Sequence, residues 1–157
     1  MDLTVARIIH VVSVVAWIGG VGFVTTVVFP SVRRANAPQD RLAAFLSVEA
    51  PFSWQARVWV AMAGISGLYM TWRLDAWSRF TRVAGWWMDA MAGLWLVFAV
   101  MLFVLEPLVL HRRLERLVGT PDAAAAFARM ERLHLILLAA SAVTVLGAVG
   151  GSHGLFY

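Results

Sequence analysis

The sequence predicts an all-α protein, a transmembrane four-helix bundle forming one integral membrane domain over residues 1–157. Three observations predict it. Hydrophobic residues make up 61% of the chain and charged residues 14%, with a mean hydropathy of +0.77, where soluble domains run at roughly 45–50% apolar and about 25% charged. Four apolar runs come close to the ~20 residues that a helix needs to cross the hydrocarbon core. All thirteen basic residues are arginine, and they gather at the ends of those runs.

The runs lie near Leu3–Phe29, Gln55–Trp72, Val83–Leu110 and Leu133–Gly150, the last expected to continue to Tyr157 because residues 154–157 stay apolar. The first exceeds the roughly 7–15 residues of a signal-peptide core and is expected to be a retained span. Arg33, Arg34, Arg41 and Arg57 follow the first run, and Arg112, Arg113, Arg116, Arg129 and Arg132 follow the third. Only Arg7, Arg73, Arg79 and Arg82 fall on the other side. An excess of arginine marks the cytoplasmic face, so both termini are expected outside, in a bacterial inner membrane. Trp72, Trp77, Trp86, Trp87 and Tyr157 would form the outer aromatic belt, with Trp54 and Trp59 near the inner face. The net charge of +4 is thus assigned to topology, with the lipid bilayer as partner and no nucleic acid. With no cysteine in the chain, disulfides, iron–sulfur clusters and covalently attached c-type haem are excluded.

The two connections placed inside resemble one another. Phe29-Pro30, Arg33-Arg34, Pro38-Gln39-Asp40 and Ala44-Phe45 are answered by Glu106-Pro107, Arg112-Arg113, Pro121-Asp122 and Ala126-Phe127. This suggests a duplicated helical hairpin. Thr120 as N-cap, Pro121 at the first position and Asp122 in the first turn predict a helix start there. The Gln39–Glu49 segment is expected to lie along the inner surface. Gly19, Gly20, Gly22, Gly64, Gly67, Gly147 and Gly151 supply close helix packing, with faces to spare for a homodimer.

Chemistry concentrates on histidine. His10 lies inside the first span, where an ionisable group is costly and by default marks a functional site. On a helix His10, Val14, Trp17 and Val21 share one stripe, with Gly20 beside Trp17. That combination of imidazole, flat aromatic and notch would seat a planar cofactor, and Arg7, one turn outward, would hold a propionate. His153 near the outer end of the fourth span is the expected second axial ligand of one b-type haem. A second haem is conceivable at the inner face between His111 and His134. Met88 and Met91, at the outer side with Met70, support an alternative: thioether and imidazole together suit Cu(I). Of the two intramembrane carboxylates, Asp89 would orient an imidazole or counter an outer arginine, and Glu106 would pair with an arginine or accept a proton.

With His10 followed by Trp17-x-Gly19-Gly20, and with four apolar runs joined by basic turns, the chain resembles the CopD/HemJ-like group of small bacterial four-helix membrane proteins. That group contains copper-resistance permease domains and the HemJ-type protoporphyrinogen oxidase, a b-haem protein. The resemblance implies that His10 is the haem or metal ligand. The chain departs from the HemJ pattern in having Val27-Val28-Phe29-Pro30-Ser31 where that family has Leu-Pro-Arg-Leu, and Asp89 near the place of a lysine after Gly-Trp. The expectation is therefore a haem-binding membrane protein for electron transfer or redox chemistry at the outer side, exchanging electrons with quinone or a periplasmic partner. Its alternative is a copper transporter or chaperone.

Overall fold

Apolar side chains recurring every three to four residues carry four long helices in the computed structural model, which describes residues 2–156 together with all their side chains except that of His111. Among the described residues there is no strand. Helix α1 spans Leu3–Ala35 and α2 Arg41–Arg73. Helix α3 begins as Trp86–Val100, widens into a π-helix over Met101–Leu110 and finishes as His111–Leu117. Helix α4 is Ala123–Ser152. Two 3-10 turns, Ala76–Thr81 and Val83–Gly85, join α2 to α3. Leu3–Ala35, Val83–Leu110 and Ala123–Ser152 are long and apolar enough to cross a membrane, three of the four runs expected to do so.

Helix α2 matches α1 in length at 33 residues but carries Arg41, Glu49, Gln55 and Arg57. It packs chiefly against α1 and also touches α3 and α4. Its buried positions Leu42, Phe45, Ser53, Ala56, Val60, Ala63 and Ser66 keep helical spacing straight through Pro51. For that reason Gln39–Glu49 does not lie separately on the inner surface, as expected, but from Arg41 onward is the first part of α2. The opposite stripe is exposed and apolar: Trp54, Val58, Ile65, Leu68 and Trp72 are each 40–68% accessible.

Both π-helical stretches accompany a proline. Val24–Val28 precedes Pro30, and Met101–Leu110 contains Pro107. A proline ring collides with the carbonyl four residues back and has no N–H to offer it; a wider turn relieves the collision. The hydroxyls of Thr25 and Thr26 reach back to the carbonyls of Val21 and Gly22 at 2.7 Å in the same region.

Two helix ends differ from expectation. Thr120 does not cap α4: its hydroxyl donates back to the Leu117 carbonyl at 2.7 Å, and the helix starts at Ala123 after Asp122. At the other end α4 stops at Ser152 rather than running on to Tyr157, a residue outside those described. Gly154, at φ 82°, allows the Leu155 N–H to reach the Gly150 carbonyl at 2.9 Å and its own N–H to reach Gly151 at 3.2 Å, which closes the helix in a Schellman turn.

Three apolar clusters hold the helices together. At one end Phe29, Phe45 and Phe127 stack among Leu42, Leu114 and Met130. In the middle Trp17, Val60, Ala63, Phe98 and Leu102 interlock, and at the other end Trp87 and Met88 pack on Ala76. Glycines admit the large rings: Gly64 faces the indole of Trp95, whose Nε1 donates to the Val60 carbonyl at 2.8 Å, and Gly147 and Gly151 face Trp86 and Trp87. A Gly64→Val side chain would overlap the Trp95 ring. It is expected to destabilise the protein by about 1–3 kcal/mol, the usual cost of overpacking, read as an earlier transition when the micellar protein is unfolded with SDS.

Candidate functional site

The inward stripe of α1 is read correctly by helical spacing: Ala6, Ser13, Trp17 and Val21 are buried, and His10 and Val14 are half-buried beside them. His10 sits where α1 crosses α2. Its Nδ1 lies 2.9 Å from the carbonyl oxygen of Ala63 and 3.3 Å from the hydroxyl of Ser66. A carbonyl only accepts, so Nδ1 carries the proton and Nε2 keeps its lone pair. The Ser66 hydroxyl donates to the Met62 carbonyl at 2.6 Å, which fixes its oxygen as a second acceptor toward His10. Gly67 makes room for the ring, since a Cβ there would stand 3.1 Å from His10 Cε1.

This is the arrangement that metal-bound histidines use: one ring nitrogen is anchored to a carbonyl, which fixes tautomer and orientation and leaves the other free. Among the described residues no three His, Asp or Glu side chains gather into a metal-binding group. A histidine held in this way could serve an iron whose remaining ligands a macrocycle supplies.

The other predicted site residues fall elsewhere. Trp17 is 4% exposed, edge-on to Phe98 with ring centroids 4.8 Å apart, and its Nε1 has no partner. The Gly20 notch takes the ring of Phe52, 2.6 Å from where a Cβ would lie. Arg7 is exposed and borders a shallow groove of about 350 Å3 with Thr4, Ile8, Val11 and Val12. His153 follows the last turn of α4 and is exposed, its Nδ1 donating to the Val149 carbonyl at 2.8 Å. Because α4 ends at Ser152, the shared depth expected for His10 and His153 loses its basis, and the two rings make no contact. His134 donates from Nδ1 to the Met130 carbonyl at 2.9 Å and packs against Phe29 and Phe45, with centroids 5.1 and 6.0 Å away. His111 contributes no described side chain. Met88 is buried and Met91 packs nearby, in the apolar cluster with Trp87 and Phe80. Asp89 is exposed.

A second polar group inside the helices was only half anticipated. Glu106 is 9% exposed. One of its oxygens accepts from the hydroxyl of Ser53 and from Arg57 Nη2, the latter at 3.1 Å. Pro107 has no N–H to give to the Leu102 carbonyl one wide turn back, and that carbonyl accepts from Arg57 Nε at 3.0 Å. The sequence counted Arg57 toward topology and left Glu106 without a named partner. The signal was present nonetheless: Arg57 is the one charge within Gln55–Trp72, and Glu106 is the one carboxylate in the second half of the apolar run Val83–Leu110. Buried opposite charges must meet.

No protein-family model, curated protein or solved structure matches the chain.

Proposed function

We propose that the protein is a b-type haem-binding protein of the bacterial inner membrane that passes electrons, with His10 as the axial ligand that holds the iron. The observation that carries this reading is the Nδ1–H of His10 donated across the helix interface to Ala63, 2.9 Å away, with Nε2 left uncommitted. His134 and His153 bond the carbonyl four residues back on their own helix, a contact any helical histidine can make. His10 is instead held by a different helix, 53 residues away in sequence.

In this reading α2 is the fourth span. Its exposed stripe from Trp54 to Trp72 is apolar throughout and covers about 27 Å at 1.5 Å per residue, close to the ~30 Å hydrocarbon core. A tryptophan stands at each end, as interfacial residues do. Ser53, Arg57 and Ser66 bond to groups on other helices, so part of its polar content is used between helices, while Gln55 beside Trp54 is exposed. Nine arginines on the inner side support an orientation with both termini outside, in which His10 lies beneath the outer surface.

Bound haem supplies one-electron chemistry at its iron. The chain's own residues do the rest. Ala63 and Ser66 hold the imidazole in a fixed direction, Gly67 gives its ring room against α2, and Arg7, one turn outward on α1, would pair with a propionate. The buried indole N–H of Trp17, two turns further in, is a donor awaiting an acceptor on the same stripe. His153, with Nδ1 bonded to the Val149 carbonyl, would offer its other ring nitrogen as the second ligand. The test is the spin state: His153→Ala is expected to keep the haem and turn a low-spin spectrum into a high-spin one, whereas an unchanged low-spin spectrum removes His153 from the site.

A further inference from the structure

We infer that the groove over Arg57 and Glu106, between α2 and α3, is a binding site for a flat, uncharged, carbonyl-bearing amphiphile of the isoprenoid-quinone class. The inference goes beyond the haem reading, and binding there requires no haem.

The groove is shallow and open to the outside of the helices, about 330 Å3 in volume. Trp54, Val58 and Ala61 of α2 form one wall and Phe103 and Pro107 of α3 the other, with Arg57 at the floor. Only one part of that floor is polar and uncommitted. Arg57 gives Nε to the Leu102 carbonyl and Nη2 to Glu106, while among the described residues Nη1 has no hydrogen-bond partner and the side chain stays 26% exposed. A guanidinium carries five N–H donors, so two on Nη1 point to an acceptor not supplied by the protein.

The charge of the floor decides what that acceptor is. Glu106 neutralises Arg57 across 3.1 Å, so a phosphate or carboxylate laid on Nη1 would meet a carboxylate already in place. A neutral carbonyl oxygen meets no such repulsion. The walls match the remainder of the molecule: Trp54 and Phe103 present aromatic surface to a ring, and Val58 and Ala61 continue as an apolar track for a tail. The π-helix also belongs to the site. Pro107 within it has no N–H for the Leu102 carbonyl one wide turn back, and that carbonyl takes Arg57 Nε at 3.0 Å, which leaves Nη1 as the guanidinium nitrogen without a described partner. Arg57 lies six residues from Ala63, about 9 Å along α2, so the groove and His10 share α2 but belong to different helix pairs, α2–α3 and α1–α2.

The test uses the full chain in phosphatidylcholine nanodiscs, titrated with decylubiquinone and read by tryptophan quenching. The expected result is a saturable component with one site per chain. It should weaken about tenfold in Arg57→Gln, the usual worth of one hydrogen bond to a charged group. Ala61→Phe fills the groove without touching the ion pair and is expected to abolish saturable binding while the helix content is retained. The same titration on His10→Ala protein should be unchanged, which separates this site from the haem proposal. Three results would overturn the inference: quenching that never saturates, saturable binding indifferent to Ala61→Phe, or displacement of the quinone by phosphatidylglycerol, which would mark the groove as an anionic-lipid site.

Discussion

Replacing His10 with alanine is expected to yield a protein that purifies without haem, with the Soret band of the parent absent. Two effects overlap in that variant, and they differ in size. Loss of the Nδ1–H bond to Ala63 removes an interhelical hydrogen bond, worth roughly 1 kcal/mol in a membrane protein. Loss of Nε2 removes the ligand outright. His10→Gln separates them, because its amide N–H can still donate toward Ala63 while offering no basic nitrogen. The account expects both variants to be colourless, His10→Gln to unfold nearly as the parent does, and added imidazole to restore part of the chromophore in His10→Ala. A structural histidine predicts the reverse pattern: colour indifferent to either change, and stability lost only in the alanine variant.

The largest stability effect is expected at the Arg57–Glu106 pair. Removing one partner of a buried ion pair strands the other, at a typical cost of about 3–5 kcal/mol. The two single variants should not be equal. The Glu106 side chain is 11% exposed and that of Arg57 26%, and a long cationic side chain can reach toward water when released. Arg57→Ala is therefore expected to sit at the upper end of that range and Glu106→Ala at the lower end, with SDS unfolding of the micellar protein as the measure. The double variant Arg57→Leu/Glu106→Leu should recover most of the loss, since apolar replacement of a whole buried pair is often close to neutral. What it does not recover is the donor to the Leu102 carbonyl, a deficit of about 1 kcal/mol. Single variants that unfold no earlier than the parent would mean that the pair is not desolvated.

Helical spacing and hydropathy reveal the greater part of this fold, because both are local. The four apolar runs, the buried stripe of α1 through Trp17 and Val21, and the proline-marked connections all follow from residue type at known spacing. Three features are not local and escaped. The run of α2 through Pro51 depends on a buried stripe that continues across the proline, so in sequence the Gln39–Glu49 segment and the run from Gln55 read as separate. The end of α4 depends on Gly154 adopting a positive φ, which residues 154–157 could equally have avoided by staying helical. Its consequence reaches the candidate site, because His153 was placed by assuming the longer helix. The partner of His10 is the third: Ala63 contributes only a backbone carbonyl, and a carbonyl leaves no mark in a sequence. The Gly20 notch illustrates the limit from the other side. A glycine opens space on a helix, but only the packing decides that Phe52 enters it.

The central claim is that the nitrogen left free on His10 holds a haem iron. Its most direct measurement is the visible spectrum of the full chain extracted in detergent from haem-replete cells, with the haem quantified as its pyridine haemochrome. The account predicts a b-type spectrum, reducible by dithionite, with haem present in stoichiometric proportion to the chain. A colourless preparation that stays colourless on addition of haemin would contradict it.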